Sequence, residues 1–473
     1  MISSFKTSII FWIGLFCLFA SNALAHGTER GLVMLLPTEY YRVGGGLAVA
    51  LSFLLLIVLP SGWLNRWKVS SISLGSFPHI APHWLSGLSF IFLLSLIVAG
   101  IIGDTDPYAN PMPLFIWTIW WVGFSVLQFF TGNLWPYLNP WSGPVYLFYQ
   151  ITGFKGPPLA LPKWLGYWPA VVLFAGFAWF ELVSLAPDDP RKLTILVIFS
   201  WLVGFVGMVL FGEKQWCERA EPFSIFFRLI GAFAPLQYEE DKAAKRTNIV
   251  CVWPGSKLMA LPALPLSGVL FVLLTLSSVS FDGFSKTFTW ASWIGVNPLE
   301  FPGRSAVTYA NSFGYIALFM LLSLAFFGAV YLGCLLAKNS SLFSSACGKL
   351  IYAIIPISLA FHLSHYLTVL LINSQYAALA FNDPFALNWN ILGFENYMVT
   401  TSFLSNLDSV SMMWKIQTAT IVLGHVASIF IAHLIASDIF GRTYATISQA
   451  FLVLLMIFYT VFGLWLLSTP AMG

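Results

Sequence analysis

The chain has 473 residues, of which 58% are hydrophobic, 17% aromatic and only 9% charged, with a formal net charge of +3. A chain this poor in charge, against roughly 25% in soluble proteins, cannot clothe a water-facing surface, so most of its solvent is lipid. That excludes a soluble enzyme and a disordered scaffold, and so small a net charge excludes a nucleic-acid binder.

In chain order, residues 1–25 read as a secretory signal. Lys6 gives the basic start, Ser8 to Ala20 a short apolar core, and Ala23-Leu24-Ala25 a small-residue cleavage site that would leave His26 first. The alternative is a retained first span, but the stretch falls short of the ~20 residues a span needs. Ten later stretches are apolar enough to cross ~30 Å of hydrocarbon. They lie near 45–61, 84–103, 113–131, 166–185, 193–212, 263–281, 309–336, 350–373, 415–437 and 447–468. With the mature start outside, fourteen of the 22 Lys and Arg fall in inside loops and seven outside, Lys6 being the remaining one. This bias sets the orientation, with both mature termini facing the periplasm or exterior. The expected fold is all-α: one polytopic transmembrane helical domain over 26–473, with no internal repeat. No two cysteines lie outside to form a disulfide, and no CxxC pair suggests a thiolate metal site.

Three connections stand out. Residues 132–165 carry Trp135-Pro136, Asn139-Pro140-Trp141 and Gly156-Pro157-Pro158, a broken, aromatic stretch expected to be re-entrant or interfacial. The inside loop 213–262 mixes seven basic with six acidic residues and reads as a cytoplasmic platform of amphipathic helix. The outer loop 374–414 is long enough for a lid or a passive connector. Trp117, Trp120, Trp121 and Phe124 read as interfacial belt and lipid-facing surface.

Chemistry concentrates in the histidines. Seven occur, and His362, His365, His425 and His433 fall inside spans, where ionisable groups are costly and face a protein interior or a wet cavity. His362 and His365 are three apart and share a helix face. His425 is expected at an overlapping depth on the next span, with His433 ~12 Å deeper. Three imidazoles at one depth suit a divalent ion such as zinc, copper or iron. Asp104, Glu181 and Asp282 end spans at the outer edge, where a carboxylate could complete a metal shell or act as general base. The expected metal ligands are thus His365, His425, His362 and Asp104, with Glu181 and Asp282 as catalytic carboxylates. His79 and His83 read as loop residues.

Several blocks together carry a resemblance: Gly103-Asp104 with Ala109-Asn110-Pro111-Met112-Pro113, Leu138-Asn139-Pro140-Trp141, Trp179-Phe180-Glu181, Ala220-Glu221-Pro222-Phe223-Ser224, Phe281-Asp282-Gly283, Phe361-His362-Leu363-Ser364-His365-Tyr366, Gly424-His425 and Ala432-His433. The set resembles the polytopic bacterial membrane proteins called fenitrothion hydrolases, over nearly the whole mature chain. The resemblance implies hydrolysis of an organophosphorus triester at its aryl-ester bond. It also implies an Asp after the second histidine of the ninth span, where this chain has Leu434 and its acid only at Asp438. A divalent metal would lower the pKa of a bound water towards ~7 for that reaction. The expected partners are membrane lipid and a small lipophilic substrate, not nucleic acid, and a second membrane subunit is the one protein partner this reading admits. The rival reading is a transporter or copper-handling protein that uses the same histidines, with His26 as the receiving end. A haem held by His365 and His425 is a third.

Overall fold

The computed structural model describes residues 33, 35–58, 71–78, 80–154, 156–241, 243–297, 300, 303–394 and 397–469. The expected signal peptide, His26 and His79 lie outside the described residues. The chain is a mostly helical, multi-pass membrane protein, 75% helix. Among the described residues nine helices are long and apolar enough to span a bilayer: α1 (Thr38–Val58), α2 (Pro82–Ile102), α3 (Pro111–Thr131), α5 (Pro190–Phe211), α7 (Leu266–Ser285), α8 (Arg304–Leu336), the Ser340–Asn382 stretch containing α9 (Ile354–Asn382), α10 (Leu407–Ser448) and α11 (Ala450–Ser468). Two apolar helices are shorter, α4 (Trp168–Val183) and α6 (Pro222–Phe233). Nine of the ten expected spans thus return at full length, and the fourth returns as the 16-residue α4.

The all-α expectation needs one correction. A three-stranded antiparallel sheet, ordered β1-β3-β2, joins β1 (Ser71–Pro78) to the hairpin β2 (Leu236–Asp241) and β3 (Arg246–Val252). The helical platform expected at 213–262 is therefore a short helix (Glu213–Arg219), α6, this hairpin and Ser256–Ala260. The hairpin was hidden by its charge. Burial in β3 falls on Thr247, Val250 and Val252, of which only Val250 and Val252 keep a strand's two-residue period.

The sheet also decides the topology. Ser71 to Pro78 pairs with Arg246 to Val252 across the chain, so both segments lie at one end of the bundle. An even number of crossings must separate them, and α2, α3, α4 and α5 supply four. At ~1.5 Å per residue α4 is only ~24 Å long, yet the pairing requires it to cross. Across the bundle, Arg304 Nη1 donates to the carbonyls of Glu181 and Ser184, and Trp117 Nε1 to that of Pro187. The expected outer loops therefore gather at the end opposite the sheet.

Two irregular segments enter the bundle from the sheet end. Asn139 Oδ1 accepts the backbone N–H groups of Trp141 and Ser142, Ser86 Oγ donates to its carbonyl, and Trp141 Nε1 donates to the carbonyl of Trp201 in mid-α5. These bonds satisfy a broken backbone that lipid could not. The second is α6, whose rings climb beside α3: Phe233 lies against Phe129, Phe227 against Phe124, and Phe223 against Trp120. This half-helix starts deep in the protein, and Glu221 caps it by accepting from the N–H groups of Phe223 and Ser224.

Centre and periphery follow from burial. In the apolar window of α7, 83% of residues are buried inside the protein, against 22% for α1 and 28% for α2 and α5. Residues 354–362 of α9 are likewise all buried. Any polar group on α7 or on the first half of α9 therefore faces protein.

Candidate functional site

Helix α9 presents His362, His365 and Tyr366 at i, i+3 and i+4, so all three lie on one face. Helix α7 brings Asp282 from its last turn, followed by Lys286 at its C-terminal cap. Glu181 comes from the last turn of α4. Trp121 comes from α3, whose Leu114–Phe124 segment is wound as a π-helix. Such winding is rare and frequent at functional sites.

These side chains form one hydrogen-bonded row. Lys286 Nζ lies 2.6 Å from Asp282 Oδ1. His365 Nε2 donates to Asp282 Oδ2 at 2.6 Å. The Tyr366 hydroxyl lies 3.0 Å from that same oxygen and 3.1 Å from Glu181 Oε1, and Trp121 Nε1 donates to Glu181 Oε1 at 3.1 Å. A phenol has one hydrogen, so Tyr366 donates to one carboxylate at a time, and the second contact is a hydrogen bond only when the other carboxyl carries a proton. His362 Nε2 donates to the Trp121 carbonyl at 3.1 Å, which fixes the tautomer of a neutral ring. Its ring stands edge-on to Trp121 and Tyr366, with centroids 4.9 Å away in both cases.

Exposure is graded along the row. The Lys286 side chain is 44% exposed and that of His365 16%, whereas Asp282 keeps 6%. The row thus runs from the end opposite the sheet into the protein, where it meets a small cavity of about 20 Å³, room for about one water. Glu181, His362, Tyr366 and Trp121 border this space, the hydroxyls of Thr275, Ser278 and Ser358 line its wall, and Leu229 and Ile230 of α6 with Ile355 of α9 bound it further along.

Of the six side chains expected to act, the row contains Glu181, Asp282 and His365, and His362 adjoins it. The other two are not brought to it. His425 is fully buried on α10, where Nδ1 donates to the carbonyl of Ile421 one turn back and Nε2 has no partner. Asp104 caps its own turn, accepting from the N–H of Asp106 in the 103–110 connection. The expected overlap in depth does not hold: Ser364 pairs with Gln417, and Gly424 meets Pro356 and Ala360, so His425 lies level with residues near 357, about two turns deeper than His365. Among the described residues no three His, Cys, Asp or Glu side chains converge as metal ligands, so the expected set of His362, His365, His425 and Asp104 is not assembled. His433 pairs with Gln449 instead.

The aromatic segment also departs from expectation. Trp121 is 6% exposed and bonds a carboxylate; Trp120 packs on Phe223 and Phe227. They belong to the interior, not to a lipid-facing belt. His83, expected in a loop, is in the first turn of α2 with its ring stacked on Tyr146. Tyr366, Trp121 and Lys286 are the residues that sequence reasoning passed over. The spacing of Tyr366 from His362 and of Lys286 from Asp282, both i to i+4, was the available signal.

Around the far end, Asp383 organises the outer connection by accepting from the N–H groups of Leu387 and Asn388. Burial pushes its carboxyl up, and those backbone donors outweigh it and hold it below the usual carboxylate range. Residues 383–394 and 397–406, in the core of the expected 374–414 loop, thus belong to a connector capped by its own Asp383, which touches the bundle where Pro384 approaches Gly103. Compared with the profiles of known families, with curated proteins and with solved structures, the chain matches none.

Proposed function

We propose that this protein moves protons across a bacterial inner membrane in exchange for a small solute, with the Lys286–Asp282–His365–Tyr366–Glu181 row as its proton path. One observation carries the reading: a continuous row of proton-exchanging groups runs from a half-exposed ammonium to a carboxyl bordering a cavity. Buried ionisable residues cost several kcal/mol unless used or paired, and this row pairs them in an order suited to transfer. Glu181 gives its proton to the phenol oxygen while the phenol proton passes to Asp282, so Tyr366 keeps one hydrogen throughout. His365 and Lys286 orient Asp282 and exchange with water at the exposed end, taken as periplasmic. Reconstitution into liposomes with an internal pH dye tests this. A solute gradient should drive proton movement, and Asp282→Asn should lower it at least tenfold; movement unaffected by Asp282→Asn overturns the reading.

A second reading is hydrolysis of a lipophilic organophosphorus triester that enters from the lipid. It is favoured by the largely apolar cavity wall with one carboxylate at its edge, which could act as general base on a water. Among the described residues no three-ligand metal shell comes together, and in this reading Glu181 acts on the water directly. Release of 4-nitrophenol from a triester by the purified protein, lost in Glu181→Gln, would favour this reading over transport.

A further inference from the structure

The polar groups on the wall of the cavity beside Glu181 are hydrogen-bond acceptors. Thr275 Oγ1 gives its hydrogen to the carbonyl of Val272, and Ser278 Oγ to that of Leu274. The Tyr315 hydroxyl, 3.3 Å from Ser278 Oγ, is then the donor of that pair, and Ser358 is the donor across the 3.5 Å to Thr275 Oγ1. His362 has spent its one N–H on the Trp121 carbonyl, so its Nδ1 keeps a lone pair. Trp121 Nε1 donates to Glu181 Oε1, and the Tyr366 hydrogen goes to Glu181 or to Asp282. Neither lysine nor arginine lines the space among the described residues. Once Glu181 has lost its proton, the wall offers a carboxylate and lone pairs, with its own hydrogens already committed.

An occupant of this space must therefore supply both hydrogen bonds and positive charge. The volume, about 20 Å³, admits one particle the size of a water. Water brings two hydrogens and no charge, whereas the ammonium ion, of nearly the same size, brings four N–H donors and the charge. A hard metal cation takes oxygen ligands and would leave the imidazole nitrogen of His362 unused; an N–H group bonds it directly. We infer that the exchanged solute is the ammonium ion, held in this cavity in place of the proton on Glu181. This rests on the proton-exchange reading above and names its solute. The exchange balances in charge. The Glu181 carboxyl passes H⁺ through Tyr366 to Asp282, NH₄⁺ settles against the carboxylate, and no bond to nitrogen breaks. The charged neighbours leave the place open. Asp282 holds His365 and Lys286 on the far side of Tyr366, and Arg304 is committed to the carbonyls of Glu181 and Ser184 rather than to the carboxylate.

Proton release on binding tests this without a membrane, which ammonia would cross unaided. The purified full-length protein in detergent, weakly buffered and with a pH dye, is titrated with ammonium, sodium or potassium chloride against tetramethylammonium chloride, at one pH and constant ionic strength. Ammonium alone should release about one proton per chain at saturation, and Glu181→Gln should reduce that release at least tenfold. Thr275→Val keeps the side chain's shape and removes one lone-pair oxygen, so the half-saturating ammonium concentration should rise roughly tenfold or more, the size of a hydrogen bond lost to a charged group. Glu181-dependent release by sodium or potassium instead overturns the ammonium assignment and leaves proton exchange standing. Ammonium-driven release that survives Glu181→Gln places the ion elsewhere and likewise overturns the assignment alone. No release by any of the three, from protein of native helix content, means that the cavity takes water only; it overturns both readings, because the space admits no larger solute.

Discussion

Tyr366→Phe is the sharpest perturbation of the row, because it removes one oxygen and leaves the ring's packing against His362 and His365 in place. That oxygen lies 3.1 Å from Glu181 Oε1 and 3.0 Å from Asp282 Oδ2. Losing a hydrogen bond to a charged group costs about 1.5–3 kcal/mol. Asp282 keeps His365 and Lys286, and Glu181 keeps Trp121, so the loss should stay near one such bond. If it falls on the barrier to proton passage, the rate drops roughly 10- to 150-fold, at 1.36 kcal/mol per tenfold. Two measurements are needed: proton counterflow in liposomes, and denaturant unfolding in detergent followed by circular dichroism. The expected outcome is the fall in counterflow with no more than about 3 kcal/mol lost in stability. Counterflow within twofold of wild type would show that protons do not pass through the phenol and would refute the reasoning.

His425→Leu should leave counterflow unchanged and stability within about 1 kcal/mol, because the imidazole's Nε2 is buried without a partner and an apolar replacement removes that penalty; a tenfold loss of transport would restore His425 to the site. Glu221→Ala removes the cap of the deeply started α6 and should cost about 1–2 kcal/mol, read as a lower midpoint in a detergent unfolding titration. Gly333→Ala places a methyl against the backbone carbonyl of Ser448, and the yield of folded, monodisperse protein should fall sharply. The Asp383 carboxyl is held below its usual range in the folded connector, so the order it confers is present above the unfolded-state pKa of ~3.9 and disappears as pH falls through the lower folded value. Asp383→Asn should then make protease cutting between residues 383 and 394 independent of acidification, where wild type becomes more susceptible.

Apolar run length and the scarcity of charge in the sequence were enough to establish a multi-pass helical protein and nearly all of its spans, because hydrocarbon admits few solutions and long apolar runs announce them. The same reading found Glu181, Asp282, His365 and His362, since ionisable groups so placed are conspicuous in an apolar chain. What it could not supply was relative level and partnership. Which residues of two helices come level depends on how the helices pack and not on counting along either one, and that is why His425 stayed apart while Tyr366 joined Asp282 to Glu181. Pairing between residues distant in sequence was equally invisible: nothing local in Ser71 to Pro78 says that Arg246 to Val252 will lie beside it, yet that pairing requires the short α4 to cross. Tertiary packing alone turned Trp121 from an apparent belt residue into a donor to a buried carboxylate, because a hydrogen bond between two helices is a property of their contact and of neither sequence.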